Sequence, residues 1–558
     1  MKEGNKEEWH GEGGIGIISS RVTVEGPLKK GKSSILLSGR RTYADLILRP
    51  VLATMSEENT GYYFYDFNAK INYDFGRKNK LYLSGYFGKD RFYMKYKTDY
   101  MKENIGFQWG NATGTLRWNH LFTNKVFSNT SVIFSNYTFG IYDKYKVIEE
   151  NKDYYAEYYS GIRDLSLKYD IDFLPNPAHR IKVGALTIYH RFNPHAYVEE
   201  DYPRDIHTKD VRFTNGLESG IYTEDTWQPV QVLKINGGIR LSHFIATKNQ
   251  YNFFEPRLSA AWRLKNDFAI KGSYASMNQY IHMISNTGIS LPTDLWVPTT
   301  DRIKPQQSKQ IAFGVVKNFT KPNLSFSMEG YYKTMDHVIG YKEGASFLLL
   351  DEPSSATNLN WEDNVTAGQA WSYGIEFLLQ KKEGRLNGWI GYTLSWTQMQ
   401  FDSINFGKKY YAKYDRRHDI SVVSTYKLTK SIILSGTWVY GTGNAVTLAT
   451  SEYYPNEHNP EGSYFRYPGY FHNAVNDFGE KNSYRMGAYH RLDIGIQFHK
   501  KKKWGERIWE ISIYNVYNRK NPFLYHTQTN TIDNKEYGSL VQVSLFPIIP
   551  SISYTFKF

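Results

Sequence analysis

Apolar and polar residues alternate along almost the whole chain. In "YYFYDFNAKINYDF", Tyr63, Tyr65, Phe67, Ala69, Ile71, Tyr73 and Phe75 share one face of a strand, and Asp66, Asn68, Lys70, Asn72 and Asp74 share the other. Such a strand runs over residues 63–75. That is long against the roughly five or six residues usual in soluble sheets, and long enough to cross a bilayer at a tilt. After "GRKN" the chain returns with Leu81, Leu83, Gly85 and Phe87 on one face. The same pattern sets Leu165, Leu167, Tyr169, Ile171 and Phe173 against Lys168, Asp170 and Asp172. It also sets Leu492, Ile494, Ile496 and Phe498 against Arg491, Asp493 and Gln497. The chain ends the same way: in "SISYTFKF", Ile552, Tyr554, Phe556 and Phe558 oppose Ser551, Ser553, Thr555 and Lys557.

The connections are asymmetric. Tight turns are expected near 26–32, 76–79, 121–125, 175–180, 228–230, 265–267, 320–323, 381–385, 428–431 and 500–506. Long polar excursions are expected around 44–62, 141–161, 192–217, 277–307, 335–370 and 442–487. Short turns at one end and long loops at the other are the plan of an outer-membrane barrel. With both chain ends on the short-turn side, this turn set predicts an all-β, transmembrane antiparallel barrel of about 22 strands. The count uses "EEWHGEGG" as the first strand and has Pro547 and Pro550 interrupt or begin the last one. Closure explains the exposed final strand, because a barrel has no free edge. Ile552, Tyr554, Phe556 and Phe558 then face lipid, and a terminal Phe resembles the signal read by the outer-membrane assembly machinery. The polar positions Asp66, Asn68, Lys70, Asp170 and Asp493 then face the lumen.

Composition agrees. Aromatic residues make up 16 % of the 558, yet mean hydropathy is −0.56, as expected when only alternate residues meet an apolar phase. No apolar run approaches the roughly 18 residues of a membrane helix. With no cysteine there are no disulfides or thiolate metal sites. The net charge is +13, but much of the basic clustering sits at short turns such as "GPLKKGK" and "KKKKWGER", so a nucleic-acid partner is not expected.

Three motifs carry no chemistry in context. "GEGGIG" (Gly11, Gly13, Gly16) has dinucleotide-loop spacing but precedes alternating β sequence rather than a helix. "YDRRHDIS" gathers Asp415, Arg416, Arg417, His418 and Asp419 where a long loop meets a strand, a place for contacts with neighbouring charges rather than for hydrolysis. His190 and His195 lack a third ligand at metal spacing. No catalytic, cofactor or metal site is expected, and the chain is not expected to be an enzyme.

Several stretches together resemble the barrel of TonB-dependent outer-membrane receptors, particularly the Bacteroidetes type. They include "GEGGIGIISSRVTVEGPLKKGKSSILLSGRRTYADLIL", "MNQYIHMISNTGISLPTDLWVPTTDRIKPQQS", "YDRRHDIS", "HRLDIGIQF" and "ISIYNVYNRKNPF". The resemblance implies energised uptake of a nutrient through a barrel whose lumen is plugged, driven by the inner-membrane TonB complex. Family members carry a signal peptide and a plug before the barrel. Here residues 1–6 are expected to be the remnant of a plug C-terminus and 7–558 the barrel, with the plug and signal peptide absent. A Gram-negative outer-membrane location is expected if the chain is exported. Its partners would be outer-membrane lipid, the barrel assembly machinery, a surface lipoprotein, and the TonB complex only if a plug is supplied. Two alternatives stand beside active transport: a passive porin and a barrel enzyme.

Overall fold

The computed structural model describes the chain except residues 1, 44, 46–58, 149–151, 202–205, 285–294, 322, 344–359, 454–474 and 533–534. Its main sheet is wholly antiparallel and has 23 members. One is only the pair Tyr410–Tyr411 laid over the end of Leu386–Gln400. The remaining 22 form a continuous wall. The wall closes where the first strand, His10–Gly16, pairs with the last, Ile549–Lys557, in the register Glu12↔Lys557, Gly13↔Phe556, Ile15↔Tyr554.

All ten expected turns join wall strands, and the first loop is only Ile17 and Ile18. The parity holds at the C-terminal end as well. Pro547 precedes the last strand and Pro550 sits in its second position opposite Ile513, where a missing N–H is tolerated. The extra hairpin in this region, Pro522–Ile532 with Lys535–Ser544, forms a separate sheet outside the wall.

Two expected excursions are corrected. Residues 141–161 and 192–217 are mostly strand: Val126–Val147, Lys152–Asn176, His179–Asp201 and Ile206–Val230 run through them. These strands reach 25 residues, against the roughly 9–11 needed to cross a membrane. The surplus lies on the loop side, so one flank of the wall stands well above the bilayer as paired hairpins. Polar, tyrosine-rich sequence is compatible with a strand wherever water rather than lipid covers its outer face.

Exposure follows the alternation. Phe67, Leu83, Leu165, Leu167, Phe254 and Phe313 are all 48–59 % exposed on the outside. The interleaved Lys70, Asn72, Asp170 and Asp172 are buried. This is the inverse of a soluble sandwich, in which the apolar face is the hidden one. Trp118, Trp227, Trp262 and Trp504 stand exposed at strand ends near the turns, as an interfacial girdle requires.

Candidate functional site

The lumen and its loop-side mouth are where a solute would meet this protein. Register places the sequence-predicted lumen residues on the face opposite the exposed apolar band. Asp66 accepts from Arg40 at 2.7 Å. Asn68 lies between Ser38 and Tyr86 in register. The Lys70 ammonium sits 5.5 Å from the Tyr82 ring centre. Asp170 takes Lys168 at 3.3 Å and a hydrogen bond from Tyr222. Asp493 pairs with Arg491 at 2.9 Å and accepts the Asn515 amide. Each carboxylate here is neutralised by a neighbouring side chain, so these inner charges hold the wall in shape as well as wetting it.

The chain's first residues run inside this wall near the turns. Ser34 and Asn72 donate to the carbonyl of Glu3, and Lys6 reaches Asp74 at 2.5 Å. Trp9 then crosses outward and packs its indole over Gly26.

At the C-terminal seam, the rings of Phe556 and Phe558 lie directly across Gly13 and Gly11. The Phe558 amide donates to Gly11 at 2.9 Å, and Gly11 donates back at 3.0 Å. Ile552 and Tyr554 continue the same outer face, and Tyr554 packs 4.9 Å from Trp509. "GEGGIG" is therefore β sequence whose glycines leave room for the closing strand's rings.

Beside the tall flank, on the strands Asn59–Asp74, Asn79–Lys97 and Met101–Thr123, the inner face changes character above Asp66. Tyr62 and Phe64 follow it on the same face, opposite Phe92 and Asp90. Phe107 and Trp109 lie one strand further round. Phe92 stacks on Phe107 at 4.7 Å, Phe107 on Trp109 at 5.9 Å and Trp109 on Tyr62 at 6.3 Å. The Tyr62 hydroxyl donates to Asp90 at 2.7 Å, and Arg40 covers Phe64 at 4.8 Å. The result is a half-buried aromatic panel with one acid and one base at its edges. The signal for it is present in "GYYFYDF", where aromatic residues occupy both faces of the strand at once.

The mouth is narrowed by residues expected only to be a polar excursion. Ile281–Ile284 pairs with Leu295–Pro298 as a small hairpin. It leaves the wall after Phe268–Gln279, yet packs against Lys152–Asn176 and His179–Asp201 on a distant part of the wall, so it lies inside the mouth. Ile284, Leu295, Val297, Ile303, Ile339, Tyr341, Trp361 and Val365 form its core. At its root Tyr280 stacks on Phe244 at 4.7 Å and donates to Ser242. Asp301 accepts the amides of Lys248 and Asn249. His282 is almost fully buried and hydrogen-bonds with Thr299. Burial, then repulsion from His337, lowers its pKa from the usual 6.5 to about 4, against the opposing effect of a hydrogen bond to the Lys304 backbone carbonyl.

Asp415 is 2 % exposed. It accepts the Thr397 amide at 2.6 Å and pairs with Arg417 and Arg485, while Arg416 approaches Asp419 at 3.8 Å. Arg485 arrives from the far end of the 442–488 connection, so this cluster ties one loop to the next. His190 bonds to Asp164 at 2.8 Å and nears Glu218. The side chain of His195 lies outside the described residues. Among the described residues no group of three or more potential ligands could hold a metal ion.

A family model described as TonB dependent receptor-like, beta-barrel matches residues 46–518. No curated protein matches the chain by sequence. Among solved structures it is similar to the ferripyoverdine receptor of the Pseudomonas aeruginosa outer membrane (12 % identity, TM-score 0.60), covering 100 % of this chain and 72 % of that one. It is similar to the ferric-catecholate import receptor of E. coli K12 (11 %, TM-score 0.62; 100 % and 82 % covered). The ferric yersiniabactin uptake receptor of Yersinia pestis is a third (11 %, TM-score 0.65; 99 % and 80 % covered). At these identities the likeness is one of fold.

Proposed function

The chain belongs to the TonB-dependent receptor β-barrel family of the Gram-negative outer membrane, and from that premise we propose how it takes up its ligand. The barrel is the conducting part of an outer-membrane transport receptor. Its ligand presents a flat aromatic or sugar face to the panel of Tyr62, Phe64, Phe92, Phe107 and Trp109. Stacking of this kind is worth about 1 kcal/mol per ring beyond the area covered, and Asp90 and Arg40 fix orientation through hydrogen bonds. Released from the panel, the ligand passes down a lumen lined by Asp66, Asn68, Lys70, Asp170 and Asp493. Energy coupling requires a plug in that lumen to engage the TonB complex. Phe558 and its neighbours on the outer face are what the assembly machinery reads, and a surface lipoprotein covers the tall flank. The panel is the observation that carries this reading.

Uptake of a panel of ferric chelates and oligosaccharides by cells producing the barrel with a family plug and signal peptide tests it. Accumulation that disappears on removing the TonB complex, and that falls about tenfold with Trp109→Ala, is expected. Accumulation indifferent to both changes supports a passive channel instead, a reading favoured by the paired strands Ile281–Ile284 and Leu295–Pro298 inside the mouth.

A further inference from the structure

The outer face of two neighbouring strands changes abruptly at one level. Along Lys152–Asn176 the outward positions are Phe173, Ile171, Tyr169, Leu167 and Leu165, followed by Arg163. Along His179–Asp201 they are Ile181, Val183, Ala185, Thr187 and Tyr189, followed by Arg191. Residues 165–173 span about 27 Å of strand, which at the usual tilt covers most of the apolar height of an outer-membrane barrel, about 25 Å. Arg163 and Arg191 therefore stand in the first row above the hydrocarbon, at headgroup level.

These two arginines face each other directly in the register. Like charges in that position repel across about 5 Å and destabilise a sheet. Both are exposed, and among the described residues neither forms an ion pair. Arg163 donates only to the Asn136 amide oxygen, at 3.3 Å. Arg191 lies over the Phe213 ring at 3.9 Å, which leaves the edge of its guanidinium free. Glu157, three outward positions further up the same strand, is hydrogen-bonded to Tyr155. Asp164, next in sequence, points inward to His190. Both arginines line one cavity of about 330 Å³, together with Asn136, Tyr159, Asn193, Phe213 and their neighbours.

We propose that Arg163 and Arg191 bind the phosphate monoester of an outer-leaflet lipid A molecule, whose acyl chains lie on the apolar band below. A phosphate offers each guanidinium fork a pair of oxygens, and its two negative charges remove the repulsion that the bare pair carries. The ligand is a lipid because the apolar strip Leu165–Phe173 begins in the next row down on the same two strands. A free anion would gain nothing from that strip.

Native mass spectrometry of the detergent-solubilised chain with added lipid A is the test, with its dephosphorylated form and inorganic phosphate as comparisons. Lipid A is expected to be retained at least about tenfold better than the dephosphorylated lipid, a difference of roughly 1.4 kcal/mol. The R163Q/R191Q double variant should lose that preference while keeping its folded, heat-modifiable gel mobility. If the double variant does not fold, Arg191→Gln alone serves, with about half the effect. Equal retention of the two lipids, or an unchanged preference in a folded variant, overturns the proposal. So does competition by inorganic phosphate at equimolar concentration with the lipid, which would make the site one for a free anion.

Discussion

The ring of Phe556 lies across the bare backbone of Gly13, so close that a Cβ built on the glycine would stand 2.3 Å from the ring. Gly11 and Phe558 repeat the arrangement one step along the seam. The wall closes here, between residues more than 500 positions apart, and every other wall pairing joins neighbouring strands in the chain. Closure thus depends on glycines at one end of the sequence and aromatics at the other.

Gly13→Leu is therefore expected to cost about 1–3 kcal/mol by overpacking the seam, and Gly13→Leu with Phe556→Ala should recover most of it. The urea midpoint of refolded barrel, read from the unboiled gel band, gives both numbers. A Gly13→Leu variant as stable as its parent would show that the seam has room to spare.

Phe558→Ser should leave the stability of folded barrels within about 3 kcal/mol of the parent, since Phe558 is one of many outward aromatics. Its membrane yield in cells should fall much further, because a terminal residue is available to the assembly machinery. Equal yields in outer-membrane fractions would remove the recognition role.

Docking of the strand pair Ile281–Ile284 and Leu295–Pro298 should weaken in acid. The docked His282 holds a pKa of about 4 against 6.5 when free. Between those values the undocked hairpin takes up a proton that the docked one refuses. The docked state is thus favoured fully above pH 6.5 and loses on the order of 3 kcal/mol as pH falls to 4. The protection factors of the Leu295 and Val297 amides, each corrected for the intrinsic exchange rate at that pH, should fall over that window in the parent and stay flat in His282→Gln.

Asp415→Ala leaves two arginines facing a buried gap where a carboxylate was, and one backbone amide without an acceptor. The cost expected is about 3 kcal/mol, confined to the loops. Limited proteolysis should cut the 442–488 connection faster while the barrel band persists.

The barrel was legible because one physical rule governs most of it: residues at spacing two must satisfy lipid on one side and water on the other. Phe67 and Lys70, or Leu167 and Asp170, reveal their faces without any partner in view. The turns were legible for the same reason, since the alternation breaks there. Above the membrane the rule lapses. Tyr154, Tyr155 and Glu157 form strand in water on both sides, so their mixed pattern reads as loop. The hairpin was hidden because its two strands are four residues each and its core comes from Ile303, Ile339 and Trp361, far apart in sequence. The aromatic panel spans three strands, and only Tyr62 and Phe64 show it locally.

The absence of cysteine allows the central claim, a membrane-crossing wall with lipid outside and water inside, to be measured residue by residue. Single cysteines placed in turn at residues 165–172 of the parent chain, reconstituted in vesicles, can be exposed to a charged, water-soluble maleimide. Cysteines at Ser166, Lys168, Asp170 and Asp172 should react, and those at Leu165, Leu167, Tyr169 and Ile171 should resist it while reacting with a lipid-soluble reagent. Reaction at every position, or at none, would contradict the barrel account.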